Sequence, residues 1–189
     1  MQGLVFDEFQ EGVHTFSSVF DPQTVFGGID FGYTNPFCFL MGHLDNDGNI
    51  YIDKEHYQTG LLVREHAQKI KGLIGGRKVA WIVADSEDSE SRAQLLKDGL
   101  PTIGTNKKAM TVFDGLMKIK SLLKVKANGK PSLFVSKSCV NLLRELQTLA
   151  WKDGRDEAIG SDHAIDALRY VVQLLSRPQY SGGGGIAKR

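Results

Sequence analysis

Apolar and polar positions follow two different periods along this chain. Continuous apolar runs predict strands at residues 25–31, 36–43, 50–57, 79–84, 101–104 and 133–135. Apolar residues spaced three and four apart predict helices at 61–73, 88–97, 109–124, 138–148 and 161–176. The first three strands follow one another as a meander, and the later strands alternate with helices. That order predicts an α/β domain with a mixed central β-sheet flanked by helices.

The two ends of the chain lack these periods. Residues 1–24 show no sustained pattern and are predicted to be an extended linker that leads into a domain at residues 25–177. Residues 178–189 include four consecutive glycines and are predicted to form a flexible tail. Inside the domain, the sequence DNDGN at 45–49 predicts a tight hairpin turn between the second and third strands.

The composition restricts the class of protein further. A chain of 189 residues with 41% hydrophobic and 24% charged residues suits one globular domain. No apolar run approaches the roughly 18 to 20 residues of a membrane span, so we expect no membrane contact. Cys38 and Cys139 lie far apart in apolar surroundings and predict neither a disulfide framework nor a zinc site.

Charge is distributed unevenly, although the net charge is only +1. Residues 1–30 carry five acids and no Lys or Arg, whereas residues 107–137 carry eight lysines and one acid. The second region is a candidate surface for a polyanion. Lys107 and Lys108, in a loop after a predicted strand, are the candidate phosphate contacts, whereas Lys118, Lys120 and Lys124 are explained by a solvated helix face.

Two aspartates come at the ends of buried strands. Asp30 ends the strand 25–31, and Asp85 follows the apolar run 79–84. Ligands of α/β proteins usually bind at the carboxyl ends of sheet strands. An unpaired charge costs several kcal/mol to bury, so Asp30 is expected to face a cleft or a cation, with a turn-capping role as the alternative. The acids at 87, 88 and 90 are explained by capping of the next helix.

The last predicted helix is apolar except for one polar stripe. At 100° per residue, Asp162, Asp166, Arg169 and Gln173 align on the same face. Ser161 is the predicted N-cap, which would make Asp162 a first-turn acid. Asp166 lies a turn further in and is a candidate ligand or catalytic group, with an ion pair to Arg169 as the alternative. His163 is close enough around the helix to join it.

Carboxylates from two strand ends and one buried helix suit a hard divalent cation such as Mg²⁺ or Mn²⁺. Two such ions could hold the attacking and leaving oxygens of a phosphoryl displacement. The candidate metal ligands are Asp30, Asp85 and Asp166, and the candidate catalytic residues are Asp30, Asp85, Asp166 and His163.

Three segments also carry a family resemblance: GIDFGYTNP at 28–36, IVADS at 82–86 and DHAIDALRY at 162–170. In this order they resemble the nuclease domain of the large terminase subunit of tailed double-stranded DNA bacteriophages. Residues 3–9, GLVFDEF, resemble the segment that follows the ATPase domain in that family. The resemblance covers the chain up to about residue 176.

The resemblance implies an RNase H-like fold and a metal-dependent endonuclease that cuts concatemeric viral double-stranded DNA during genome packaging. The family's ligands fall on Asp30, Asp85 and an acid of the last helix; the His-x-x-Asp pattern favours Asp166, with Asp162 as a further ligand. The implied partners are double-stranded DNA, the ATPase domain, the small terminase subunit and the portal, in the cytoplasm of the infected bacterium. No G-x-x-x-x-G-K-S/T motif occurs, so the ATPase motor is expected to be absent from this chain.

Three other functions remain open at this stage. Residues 30–34, DFGYT, fit the D-x-G-x-T phosphate loop of actin-like and sugar-kinase ATP-binding proteins. Another RNase H-like nuclease, such as a junction resolvase, would share the acid cluster. A DNA-binding or capsid-docking module would carry the same carboxylates as structural groups.

Overall fold

The computed structural model describes residues 3–106, 108, 110–153 and 156–177. The elements in these residues are α1 (Glu11–His14), β1 (Thr15–Phe16), β2 (Thr24–Asp30), β3 (Phe37–Leu44), β4 (Ile50–Gln58), α2 (Val63–Ile74), β5 (Lys78–Ala84), α3 (Ser89–Lys97), β6 (Thr102–Gly104), α4 (Val112–Leu123), β7 (Leu133–Ser136), α5 (Val140–Thr148), β8 (Ala150–Trp151), β9 (Ala158–Ile159) and α6 (His163–Leu175). None of the helices among them is both long and apolar enough to span a bilayer.

Seven strands form one mixed sheet in the order β1-β7-β4-β3-β2-β5-β6. The meander β2, β3 and β4 is antiparallel, as its tight connections require. On one side β5 and β6 continue parallel to β2, and on the other β7 and β1 continue parallel to β4. The predicted mixed sheet flanked by helices is therefore confirmed.

The sheet separates two apolar cores. The larger core packs α4, α5 and α6 against one face, around side chains such as Leu116, Leu146 and Leu168. The smaller core packs α2 and α3 against the other face, through Ile70 and Leu95 among others. Because both faces are covered, the central strands are almost wholly apolar, which is why the run at 79–84 was recognisable as a strand.

The segment predicted as an extended linker takes part in this packing. Val5 and Phe6 are buried in the larger core, and Val5 N donates to Leu149 O over 2.9 Å. Residues 11–16 form α1 and β1, and β1 adds an edge strand beside β7. These elements are only four and two residues long, too short to show a period, so pattern alone did not reveal this structure.

The described lysines of residues 108–137 do not form one surface. The loop that contains Lys126 and Lys130 lies where β7 begins, at the opposite sheet edge from the carboxyl end of β2. Lys120, predicted to be solvated, forms ion pairs with Asp7 and Glu8 and donates to Val5 O over 3.2 Å. This lysine therefore fastens the amino-terminal segment to α4.

Candidate active site

Asp30 and Asp85 lie side by side at one edge of the sheet. β2 and β5 are parallel neighbours, and their pairing sets Ile29 opposite Ala84. Asp30 is the last residue of β2, and Asp85 comes directly after β5. Both carboxylates are therefore delivered to the carboxyl end of the sheet, where ligands usually bind.

Helix α6 crosses directly over β2 and brings its polar stripe to the same place. Gly28 permits this close approach, since a Cβ there would lie 2.6 Å from Val171 Cγ2 and would also collide with the carbonyl oxygen of Ala167. The first turns of α6 carry His163 and Asp166, and Asp162 is its N-cap residue. The structure thus groups Asp30 with the predicted helix residues, which are more than 130 positions away.

His163 contacts Asp30 directly. A hydrogen bond joins its Nδ1 to Asp30 Oδ2 over 3.0 Å, and the Asp30 side chain is only 15% exposed. Burial raises the pKa of Asp30 from 3.8 to about 7, the bond from His163 opposes this rise, and the negative charges of Asp166 and Asp162 add to it. Asp30 therefore ionises less readily than an ordinary aspartate, and a nearby cation would favour its charged form.

Asp166 forms the predicted alternative to a ligand role, an ion pair with Arg169. Arg169 Nε donates to Asp166 Oδ1 over 3.0 Å, and the guanidinium lies 4.8 Å from the centre of the Tyr170 ring. Burial opposes the charge of Arg169, but Asp166 and Tyr170 together raise its pKa. The pair leaves the Asp166 side chain 26% exposed, so it does not bar a second partner.

Asp162 occupies a position different from the predicted one. It is the N-cap residue of α6, so the assignment of Ser161 as N-cap was wrong. The Asp162 side chain makes no capping hydrogen bond. Burial and the nearby charge of Asp166 raise its pKa. Of the two helix acids, Asp166 raises the pKa of Asp30 more than Asp162 does.

Asp85 is anchored by two described hydrogen bonds. Tyr170 OH donates to Asp85 Oδ2 over 3.3 Å, and Glu87 N donates to Asp85 Oδ1 over 2.9 Å. Burial raises the pKa of Tyr170, and the neighbouring carboxylates raise it further. The phenol therefore stays protonated and donates to the carboxylate.

An open cleft of about 470 Å³ lies beside Asp30 and Asp85. Phe31 and residues 87–90, around the start of α3, also line this cleft. Asp88 caps α3 by accepting from Ser91 N over 2.9 Å, as predicted for these acids. The cleft is strongly acidic, which suits a cation better than a bare phosphate.

The candidate phosphate contacts are only partly described. Lys108 is exposed in the loop after β6, at the same sheet edge as Asp30 and Asp85, and its backbone N–H donates to Asn106 Oδ1 over 3.2 Å. Lys107 lies outside the described residues.

Sequence reasoning missed two residues around this site. Tyr170 binds Asp85, and Glu145 binds the amino-terminal turn of α6. One signal could have found Glu145: it interrupts the apolar stripe of α5 that includes Leu142 and Leu146, where a carboxylate is out of place.

The donor atoms at this site fit a divalent cation, although they are not arranged as a finished ligand set. Carboxylate oxygens are the ligands that Mg²⁺ and Mn²⁺ prefer, and burial, with the charges of Asp166 and Asp162, disfavours the ionised form of Asp30 in the absence of a cation. Among the described residues, no three acid, His or Cys side chains already surround one point. Asp30, Asp85 and Asp166 instead turn towards His163, Tyr170 and Arg169.

Solved structures with the same architecture include three from phages. A large terminase from a thermophilic bacteriophage has a TM-score of 0.80 and 23% identity, with 92% of this chain and 45% of that chain covered. The P22 large terminase nuclease domain has a TM-score of 0.77 and 14% identity, covering 91% and 92%. The large terminase nuclease from thermophilic phage G20c, with bound magnesium, has a TM-score of 0.64 and 15% identity, covering 90% and 96%. The chain thus spans less than half of the first of these proteins, and the fold is the RNase H-like one of terminase nucleases.

Sequence comparison extends this likeness of fold to a family. A comparison with curated proteins gave no match. The family model of the terminase RNaseH-like domain matches residues 27–175, which include Asp30, Asp85 and the whole of α6. The chain therefore belongs to the terminase RNaseH-like domain family.

Proposed function

We propose that this chain is a divalent-metal-dependent endonuclease that cuts concatemeric viral double-stranded DNA during genome packaging. The observation that carries the proposal is the convergence of Asp30, Asp85 and the α6 acids on one edge of a terminase-type fold. The structure of the G20c nuclease contains magnesium, and that nuclease has also been crystallised with cobalt. These structures support the use of a divalent ion here.

The residues of the chain have distinct roles in this proposal. Asp30, Asp85 and Asp166 would supply oxygen ligands to Mg²⁺ or Mn²⁺, with Asp162 as a further ligand. Two bound ions would stabilise the attacking and leaving oxygens of the phosphodiester. His163 holds Asp30 through Nδ1, and Nε2 is the ring atom that can accept or give a proton during cleavage. Lys107 and Lys108 would contact DNA phosphates beyond the cleft.

The setting of the reaction also belongs to the proposal. The domain would act in the cytoplasm of an infected bacterium, joined to the ATPase domain and directed by the small terminase subunit and the portal. Without these partners we expect weak cutting with little sequence preference. Membership of the terminase family argues against the actin-like ATP-binding alternative and favours terminase cleavage over junction resolution.

Plasmid cleavage tests the proposal. Supercoiled DNA is incubated with the wild-type chain in Mn²⁺, Mg²⁺ or EDTA, beside Asp30→Asn and Asp166→Asn variants whose folding is checked by circular dichroism. Asp47→Asn is the matched control, because Asp47 is exposed in the hairpin turn at the far edge of the sheet. We expect nicked and linear DNA only with metal, from the wild type and Asp47→Asn alone. A wild type that binds DNA but never cuts it would support the docking-module alternative.

A further inference from the structure

Glu145 is a fully buried carboxylate that the proposed reaction does not use. It lies on α5 with no exposed surface, among the leucines of the larger core. Four neutral donors surround it: the backbone N–H groups of Ala164 and Ile165 and the hydroxyls of Tyr57 and Ser161. Burying a carboxylate costs several kcal/mol unless hydrogen bonds compensate, so these contacts explain how the group is tolerated.

One oxygen of Glu145 caps α6 from a different helix. Oε2 accepts from Ala164 N over 2.7 Å and from Ile165 N over 3.0 Å. The first N–H groups of a helix have no partner within the helix, and a carboxylate beside them also complements the helix dipole. The N-cap residue Asp162 makes no such side-chain bond itself. Its carboxylate is therefore not needed for capping.

The other oxygen ties this turn to the sheet. Oε1 accepts from Tyr57 OH over 2.8 Å and from Ser161 Oγ over 3.1 Å. Tyr57 belongs to β4, and its ring packs edge-on against the ring of His163, with 6.4 Å between their centres. Glu145 thus contacts the strand, the loop and the helical turn that surround His163.

We propose that Glu145 is a positioning residue, which sets the first turn of α6 so that Asp162, His163 and Asp166 face Asp30. The inference rests on the proposed metal-dependent function of that cluster. A leucine at 145 would match the apolar stripe of α5 but would leave two buried N–H groups unpaired. The carboxylate is the group that joins α5, β4 and α6 at this point.

A matched residue exists in the same fold. Glu65 holds the start of α2, where its Oε2 accepts from Leu62 N over 2.7 Å. Helix α2 packs on the other face of the sheet and carries none of the predicted site residues. Loss of either cap should lower stability, but only loss of the Glu145 cap should disturb the metal site.

The test measures the dissociation constant of Mn²⁺ by isothermal titration calorimetry, with the melting temperature recorded for each variant. Glu145→Ala should bind Mn²⁺ about tenfold more weakly, the lower end of what supporting residues of metal sites typically contribute. Glu65→Ala should melt earlier yet bind Mn²⁺ as the wild type does. Glu145→Gln should restore most of the affinity, because its carbonyl can face the two N–H groups while the hydroxyls of Tyr57 and Ser161 accept from its NH₂.

Wild-type affinity in Glu145→Ala would overturn this inference while leaving the proposed nuclease intact. A wild type that binds no Mn²⁺ would contradict the proposed metal site and, with it, the inference. If Glu145→Ala does not fold, Tyr57→Phe replaces it, since that variant removes one donor to Oε1 and keeps the ring. Unchanged Mn²⁺ affinity in Tyr57→Phe would then overturn the positioning role.

Discussion

His163 Nδ1 and Asp30 Oδ2 lie 3.0 Å apart, joining the start of α6 to the end of β2. The bond partly offsets the burial of Asp30 and the repulsion from Asp166 and Asp162, which together raise the pKa of Asp30 to about 7. A divalent cation would remove that repulsion. The metal-free protein should therefore show the electrostatic cost of this cluster as a dependence of stability on pH.

The first prediction concerns that pH dependence. Between pH 3.8 and about 7, folded Asp30 retains a proton that the unfolded chain has released, so the folded state binds more protons. The stability that Asp30 contributes is complete below pH 3.8 and is lost as the pH rises through about 7. We therefore compare the melting temperatures of Asp30→Asn and the wild type in EDTA. The melting temperature of the variant relative to that of the wild type should rise between pH 4 and pH 8. The rise should be at least about 2 °C, which corresponds to roughly 1 kcal/mol.

Added Mn²⁺ supplies the control for this prediction. At pH 8, Mn²⁺ should stabilise the wild type more than Asp30→Asn. The difference between their melting temperatures should therefore become smaller. A difference that stays constant from pH 4 to pH 8 without metal would mean that Asp30 ionises as an ordinary surface carboxylate.

The second prediction concerns Arg169, which competes with any cation for Asp166. Arg169→Met removes the 3.0 Å bond to Asp166 and should destabilise the metal-free protein by about 2 kcal/mol. Because Asp166 is then free of its guanidinium, Mn²⁺ should raise the melting temperature of the variant more than that of the wild type. Arg64→Met, on the exposed face of α2, is the control. It should change neither the stability of the metal-free protein nor the rise in melting temperature on adding Mn²⁺. Equal Mn²⁺ shifts in Arg169→Met and the wild type would refute the competition.

The third prediction concerns the contact between α6 and β2. Gly28→Ala places a methyl group against Val171 and the Ala167 carbonyl, so α6 must move away from the strand. We expect a loss of about 2 kcal/mol in urea denaturation, together with weaker Mn²⁺ binding. Gly72→Ala is the matched control, since Gly72 lies in α2 with open space around it and should gain up to about 1 kcal/mol. Unchanged Mn²⁺ binding in Gly28→Ala would show that the metal site does not depend on this close approach.

Much of the domain could be predicted because its strands are buried on both faces and therefore apolar throughout. The same apolar pattern made Asp30 and Asp85 recognisable as candidate site residues, because a carboxylate directly after such a run is unusual. Their pairing in space required only that β2 and β5 be parallel neighbours. The polar stripe of α6 was recognisable because the rest of that helix is apolar.

Interactions between distant segments could not be predicted in this way. Val5 and Phe6 enter the core from a segment too short to show a period, and Lys120 secures that segment through partners more than 110 residues away. Glu145 is conspicuous in the apolar stripe of α5, but its partners on α6 are backbone N–H groups, which every residue except proline possesses, so the sequence does not indicate what it binds. Hydrogen bonds of this kind become visible only when the elements are packed together.

A crystal of this chain soaked in Mn²⁺, with anomalous diffraction recorded, would show directly whether these carboxylates bind a metal ion. We expect strong anomalous density between Asp30 and Asp85, with Asp166 turned from Arg169 to coordinate the same centre. No density at this edge of the sheet, or density bound by other residues while Asp30 remains hydrogen-bonded to His163, would contradict it.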